Sequence, residues 1–236
     1  MSKVEVVKYD PNWKVRFISE AEKLKKIFAD NFIAIYHIGS TAVEGLSAKA
    51  IIDIVVVVKA ISLVQPIEGY KFYGELGIPF RRYFSSGDFH IHVFEENNPE
   101  IEHNLLFRDY LRSNTAAKQK YEKLKIELAH KYPDDRTQYS MEKNAFISEI
   151  IERSGFKGLC LRYVFHALEA EYYIEHIGKQ GAYKFILYKG AEIVAAAAID
   201  EQLIIEKIVG TNHIDYMKQL LDRWILSENV FVRTQR

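Results

Sequence analysis

The chain of 236 residues contains one cysteine, Cys160, so no disulfide can close within it and no thiolate zinc site can be built. A reducing compartment is its natural home. Neither sign of charge is in excess, since Lys plus Arg and Asp plus Glu number 32 each. Proteins that grip DNA or RNA by the phosphates normally show a basic surplus, so no nucleic-acid partner is expected. No apolar run nears the roughly 18 residues of a membrane span, and Met1-Ser2-Lys3-Val4-Glu5 lacks the apolar stretch of an export signal. A cytoplasmic protein without a membrane partner is the expectation. Repeats and low-complexity tracts are absent as well. What is present is 48% apolar and 13% aromatic residues, enough to bury the core of one large domain or two small ones.

Asp10 and Pro11 form a helix start, and Trp13, Phe17, Ala21, Leu24 and Phe28 follow at helical spacing. Residues 33–38 are expected to form a strand and Gly39 to Lys49 a loop of small residues. Residues 51–58 are apolar on both faces and rich in β-branched side chains, as in a central strand covered on two sides; only Asp53 interrupts them. A further strand is expected over His90 to Phe94, then helices from about Ile101 to Arg153 in three pieces. On the second piece Ala117, Tyr121, Leu124, Leu128 and Tyr132 share a face, while Lys118, Lys120, Lys123 and Lys125 are placed elsewhere. Strands first and helices later imply an α+β domain. Gly155 and Gly158 mark a boundary between residues 1–154 and 158–236. The second unit reads as a helix from about Leu159 to Ile177, three strands, a helix from Ile214 to Leu226 and a last strand over Val230 to Arg233.

A charge inside a greasy strand costs several kcal/mol, on the order of 2–5, unless it is paired, hydrogen-bonded or bound to a metal, so Asp53 requires a reason. The strand before it runs into Gly39-Ser40-Thr41, where a residue without a side chain and two hydroxyls can meet phosphate oxygens. The order of strand, Gly-Ser turn and Asp-bearing strand resembles the nucleotidyltransferase fold of the DNA polymerase beta superfamily. His37-Ile38-Gly39-Ser40-Thr41-Ala42-Val43, Gly45-Leu46, Ala48-Lys49 and Ile51-Ile52-Asp53-Ile54 together resemble the signature of the GrpB family within it. Tyr9-Asp10-Pro11 with Trp13, His90-Ile91-His92-Val93, Phe107-Arg108-Asp109-Tyr110-Leu111-Arg112, Tyr121-Glu122-Lys123-Leu124-Lys125 and Tyr139 with Lys143 agree in order, over residues 5–153.

The resemblance implies a mixed sheet with flanking helices and metal-dependent transfer of a nucleotidyl group from a nucleoside triphosphate to a small-molecule or protein hydroxyl. Such chemistry normally uses two or three carboxylates around the metal ions, two of them at i and i+2 on one strand. Here those positions are Asp53 and Val55, and the neighbouring strand offers His90 and His92 instead. Three readings stay open. Asp53, His90 and His92 could hold a divalent ion (magnesium, manganese or zinc), with nitrogen ligands disfavouring magnesium. The histidines could contact phosphate or move a proton. All three could serve structure alone.

Lys49, Arg82, Arg108 and Lys125, with Gly39, Ser40 and Thr41, are the candidates for holding the phosphates. Tyr121 and Tyr139 are assigned to the core rather than to base stacking. Where family members carry prolines this chain has Glu44 and Ala50, which predicts a looser loop with an added negative charge near the pocket. The missing carboxylates keep a second function class in play, a silent nucleotide-binding or scaffold domain. A third comes from the second unit, which weakly resembles part of a GNAT acyltransferase, although its Ile208-Val209-Gly210-Thr211-Asn212-His213 loop has one glycine and no arginine.

Overall fold

The computed structural model describes residues 3–76, 78, 80–156, 172–179, 182–190, 192–200 and 204–234. Asp10 accepts the Asn12 amide at 2.9 Å and opens helix α1 (Asn12–Phe28), which leads into β1 (Phe32–Ile38) and β2 (Ile52–Val58). After β3 (Lys71–Phe72), β4 (Arg82–Ser85) and β5 (Phe89–Glu95), the chain turns helical. The helices are α2 (Pro99–Ser113), α3 (Thr115–Lys131), α4 (Arg136–Met141) and α5 (Asn144–Arg153), one piece more than the periodicity suggests. Asn98, Asn114 and Asp135 cap the first three with side-chain oxygens, which fixes where each begins.

The five strands lie in the order β1-β2-β5-β4-β3, and only β2 and β5 are parallel, so the sheet is mixed. β2 is covered on both sides, as its composition requires. Ile52, Ile54, Val56 and Val58 pack against Trp13, Leu24 and Phe28 of α1. On the opposite face Val55 and Val57 pack with Ile38 and Phe94, flanked by Ile101 and Leu105 of α2. Each buried Val or Ile of this strand contributes about 1.5–3 kcal/mol, so one carboxylate at its end is tolerated where a second would not be.

Beyond α5 a four-stranded antiparallel sheet runs in order β6 (Tyr172–Lys179), β7 (Ala182–Lys189), β8 (Glu192–Ile199) and β9 (Ile205–Gly210). Helix α6 (Ile214–Thr234) sets Met217, Leu220 and Leu221 against Phe185, Leu187, Ala195 and Ile199. Two expectations are corrected here. Residues 172–177 form a strand rather than the end of a helix, because β7 pairs with them along its full length; the rest of that expected helix lies outside the described residues. Residues 230–233 continue α6 instead of forming a strand. Among the described residues no helix is long and apolar enough to cross a membrane.

Candidate functional site

The parallel pairing of β2 with β5 places Asp53 beside His90 and Val55 beside His92, so all four share the face turned toward α2–α5. His90 Nδ1 lies 3.1 Å from Asp53 Oδ1, and His92 Nε2 approaches the same oxygen at 3.8 Å. Arg81, 5% exposed, stands behind His92 and donates from its guanidinium to His92 Nδ1 at 3.1 Å. Arginine cannot accept a hydrogen bond, so His92 Nδ1 carries the lone pair and His92 Nε2 carries the proton, directed at Asp53. A carboxylate can only accept, so His90 Nδ1 also carries its proton toward Asp53. Tyr83 closes over both rings edge-on, at 5.6 Å from His90 and 5.1 Å from His92.

These contacts set the charges. Burial by itself would raise the Asp53 pKa, but the hydrogen bond from His90, with the nearby His92 ring adding to it, outweighs burial and holds the carboxyl below the ordinary range. His92 is pushed down to about 4, chiefly by burial, with Asp53 pulling the other way and Arg81 adding to the fall. Asp53 Oδ2 meets the chain at Gly39, whose φ of 69° and ψ of −170° suit glycine alone; a Cβ there would sit 2.6 Å from Oδ2.

As arranged, His90 Nδ1 presents a proton rather than a lone pair to Asp53 Oδ1, and His92 Nε2 stands 3.8 Å from the same oxygen. The described residues contain no group of three His, Cys, Asp or Glu disposed to hold an ion. The free nitrogen is His90 Nε2, on a ring that faces a cavity.

That cavity, of about 230 Å³, is lined by Ser40, Thr41, Asp53 and His90 together with Lys49, Lys125, Lys143, Tyr139 and Ser140. Burial, then repulsion from Lys143, lowers Lys125 to about 7; burial, then repulsion from Lys49, lowers Lys143 to about 8. Lys49 is lowered too, first by burial. The Tyr139 ring, 1% exposed, lies beneath two of these ammonium groups, with Lys143 Nζ 4.4 Å and Lys49 Nζ 5.2 Å from its centroid. Three cations thus share a pocket with a single carboxylate, and that carboxylate is engaged by histidines. Positive charge exceeds negative charge along the cavity lining.

The sequence-derived candidates divide. Gly39, Ser40, Thr41, Lys49, Asp53, His90 and Lys125 meet around or beside the cavity, while His92 stands behind it. Arg82 and Arg108 do not line it. Arg82 points toward the Arg81 carbonyl and Glu75, and Arg108 donates to the His37 carbonyl at 3.0 Å while forking onto Asp109. Tyr121 is core, between the edge of Phe107 and the face of Phe146.

The loop expected to be loose is strapped down. Arg112 donates to the Ala42 carbonyl, Lys118 to that of Glu44 and Lys125 to that of Ser47, while Glu122 accepts the Ser47 amide. The helices thus supply the rigidity that the absent prolines do not. Glu44 itself is exposed and lies outside the cavity lining. Lys143 and Ser140 line the cavity without being among the sequence candidates; Tyr139 lies on α4 and Lys143 in the turn before α5, which bends the ammonium group back over the Tyr139 ring. In the second sheet Gly210 has a packing reason of its own: a Cβ there would stand 2.6 Å from the Val194 carbonyl.

The GrpB protein family model matches residues 3–153, the segment that holds every residue of the cavity. The chain belongs to the GrpB family. It is 40% identical over 162 residues to UPF0157 protein YqkA of Bacillus subtilis strain 168, a match that covers 64% of this chain but only 47% of the Bacillus protein. It is 34% identical to the glutamate-rich protein GrpB of Alkalihalophilus pseudofirmus, covering 63% of this chain and 94% of that one. The crystal structure of the conserved protein GrpB from Enterococcus faecalis is similar with a TM-score of 0.60 at 38% identity, over 64% of this chain and 96% of the other.

Proposed function

We propose that this GrpB chain binds a nucleoside triphosphate with its phosphates in the lysine-lined cavity and transfers a nucleotidyl group to a hydroxyl of a small molecule or protein. The observation that supports it is the meeting of Lys49, Lys125 and Lys143 with the Gly39-Ser40-Thr41 turn across from the Asp53–His90 pair. Phosphoryl chemistry is mostly positioning plus neutralisation of charge, and the ammonium groups supply here what metal ions supply elsewhere. At about 230 Å³ the cavity falls below the ~300–1,000 Å³ of a site that encloses a whole small-molecule ligand. It suits a phosphate chain, with the nucleoside projecting outward.

Calorimetry with ATP, alone and with magnesium, manganese or zinc, tests the reading, and absence of saturable heat in every case would leave only a scaffold. If ATP binds, Asp53→Asn is expected to abolish transfer to hydroxyl acceptors. Full activity in that variant would remove Asp53 from the chemistry.

A further inference from the structure

The Asp53–His90 pair holds more than a binding role. Its members are arranged so that one nitrogen alone is available: Asp53 Oδ1 is shared by two imidazoles and Oδ2 is packed on Gly39, which leaves the carboxylate poorly placed to attack anything. His90 Nδ1 is tied to Asp53 at 3.1 Å, so the ring keeps a fixed tautomer and Nε2 keeps its lone pair. His90 is part of the cavity wall, its side chain 26% exposed, and shares that lining with the three lysines. A nucleophile activated by a neighbour that is itself oriented by a third group is the recurrent design for covalent catalysis.

We propose that His90 Nε2 attacks the α-phosphorus of the bound nucleoside triphosphate and carries the nucleotidyl group as a covalent intermediate. This rests on the nucleotide reading of the cavity and names the route by which that group moves. In the first step the Nε2 lone pair forms an N–P bond, the P–O bond to pyrophosphate breaks, and pyrophosphate leaves with the electron pair. The ring becomes positively charged, and Asp53 stabilises it through the proton that stays on Nδ1. An ammonium group of the cavity, Lys125 foremost, donates a proton to the departing oxygen. In the second step an acceptor hydroxyl attacks phosphorus, the N–P bond breaks, Nε2 recovers its lone pair and the acceptor's proton returns to the lysine. No oxidant, reductant or second cofactor enters the balance.

Arg81 and His92 are positioning residues in this scheme. Arg81 holds the His92 ring through Nδ1, and that ring stands with Nε2 3.8 Å from Asp53 Oδ1, beside the oxygen that orients His90.

The test uses the full chain with ATP labelled at the α- or the γ-phosphorus and no acceptor, quenched in denaturant. Expected are α-label on the protein that is lost in acid and kept in alkali, its mapping by tandem mass spectrometry to the peptide holding His90, and exchange of labelled pyrophosphate into ATP. His90→Asn is expected to lose label and exchange at least 100-fold while still binding ATP by calorimetry. Mapping on the unaltered protein keeps the test valid should that variant fail to fold. Label on a lysine, label from the γ-phosphorus alone, or ATP binding with neither adduct nor exchange overturns the nucleophile and leaves nucleotide binding standing. A protein that binds no ATP overturns both.

Discussion

Gly39 and Asp53 are in direct contact, with the glycine backbone pressed against the carboxylate so closely that a methyl group would fall 2.6 Å from Oδ2. The turn therefore cannot move without moving the acid. Gly39→Ala meets both this clash and a backbone geometry that side chains rarely adopt, and it is expected to cost about 2 kcal/mol or more. Urea denaturation measures it; an unchanged midpoint would mean that the contact is looser than described.

Lys143 is a partly buried cation whose charge is opposed first by burial and then by Lys49, so on the proposed nucleotide reading its place in the cavity favours binding over the fold. Lys143→Met should leave stability within about 1 kcal/mol of the parent, or raise it, while weakening ATP at least tenfold, about 1.4 kcal/mol. Equal affinity in the variant would place the phosphates elsewhere.

Protons should accompany the ligand. Lys125 and Lys143, at about 7 and about 8, are charged below those values and lose charge above them. An anion between them raises both, so binding near pH 8 takes up on the order of one proton, and affinity falls as pH climbs through 7 to 8. Calorimetry in buffers of different protonation enthalpy reads the uptake, and a result independent of buffer would contradict it.

Chelation separates lysine neutralisation from metal neutralisation. ATP affinity in EDTA is expected to lie within a few fold of that in magnesium, since the protein's fixed charges face the phosphates in either case. Loss of binding in EDTA would return the ion to the centre of the mechanism.

Acid should destabilise the fold through two histidines held neutral. His37 is lowered to about 4 by burial first, with Arg112 and Arg108 adding to the fall against Asp53, and His92 likewise reaches about 4. Each sits below the 6.5 of an unfolded chain, so the unfolded state takes up protons first. Their stability is complete above pH 6.5 and is lost as pH falls toward 4, on the order of 2 kcal/mol from each near pH 4.5. Urea midpoints across that range check the slope, and His37→Gln should flatten it.

Much of the central sheet was legible because its pattern is local. The doubly apolar run of β2 announces coverage on both faces, and α1 shows its buried stripe in Trp13, Ala21, Leu24 and Phe28. Asp53 stood out by violating that pattern. The lysines were harder. Lys125 was placed off the apolar face of α3, yet it continues the four-residue row of Ala117 and Tyr121 and is only 2% exposed, because the Ser47 carbonyl receives its ammonium group. That acceptor lies 78 residues away, beyond the reach of any periodicity. Arg82 and Arg108 lie off the cavity for the converse reason. An arginine that braces a carbonyl and one that grips a phosphate look alike in sequence, and only the fold distinguishes them. Spacing alone extends a helix over residues 172–177, because it cannot reveal a partner strand that has yet to be laid beside it.

Phe80 sits among the apolar side chains of the second sheet, edge-on to Phe185 at 5.6 Å, at a φ of 65° that few side chains accept. Its chain neighbour is Arg81, the residue that fixes the tautomer of His92. The side chain that joins the second apolar core therefore stands one residue from the arginine that holds His92, and the strand at 172–179 touches the first unit again at residues 61–63.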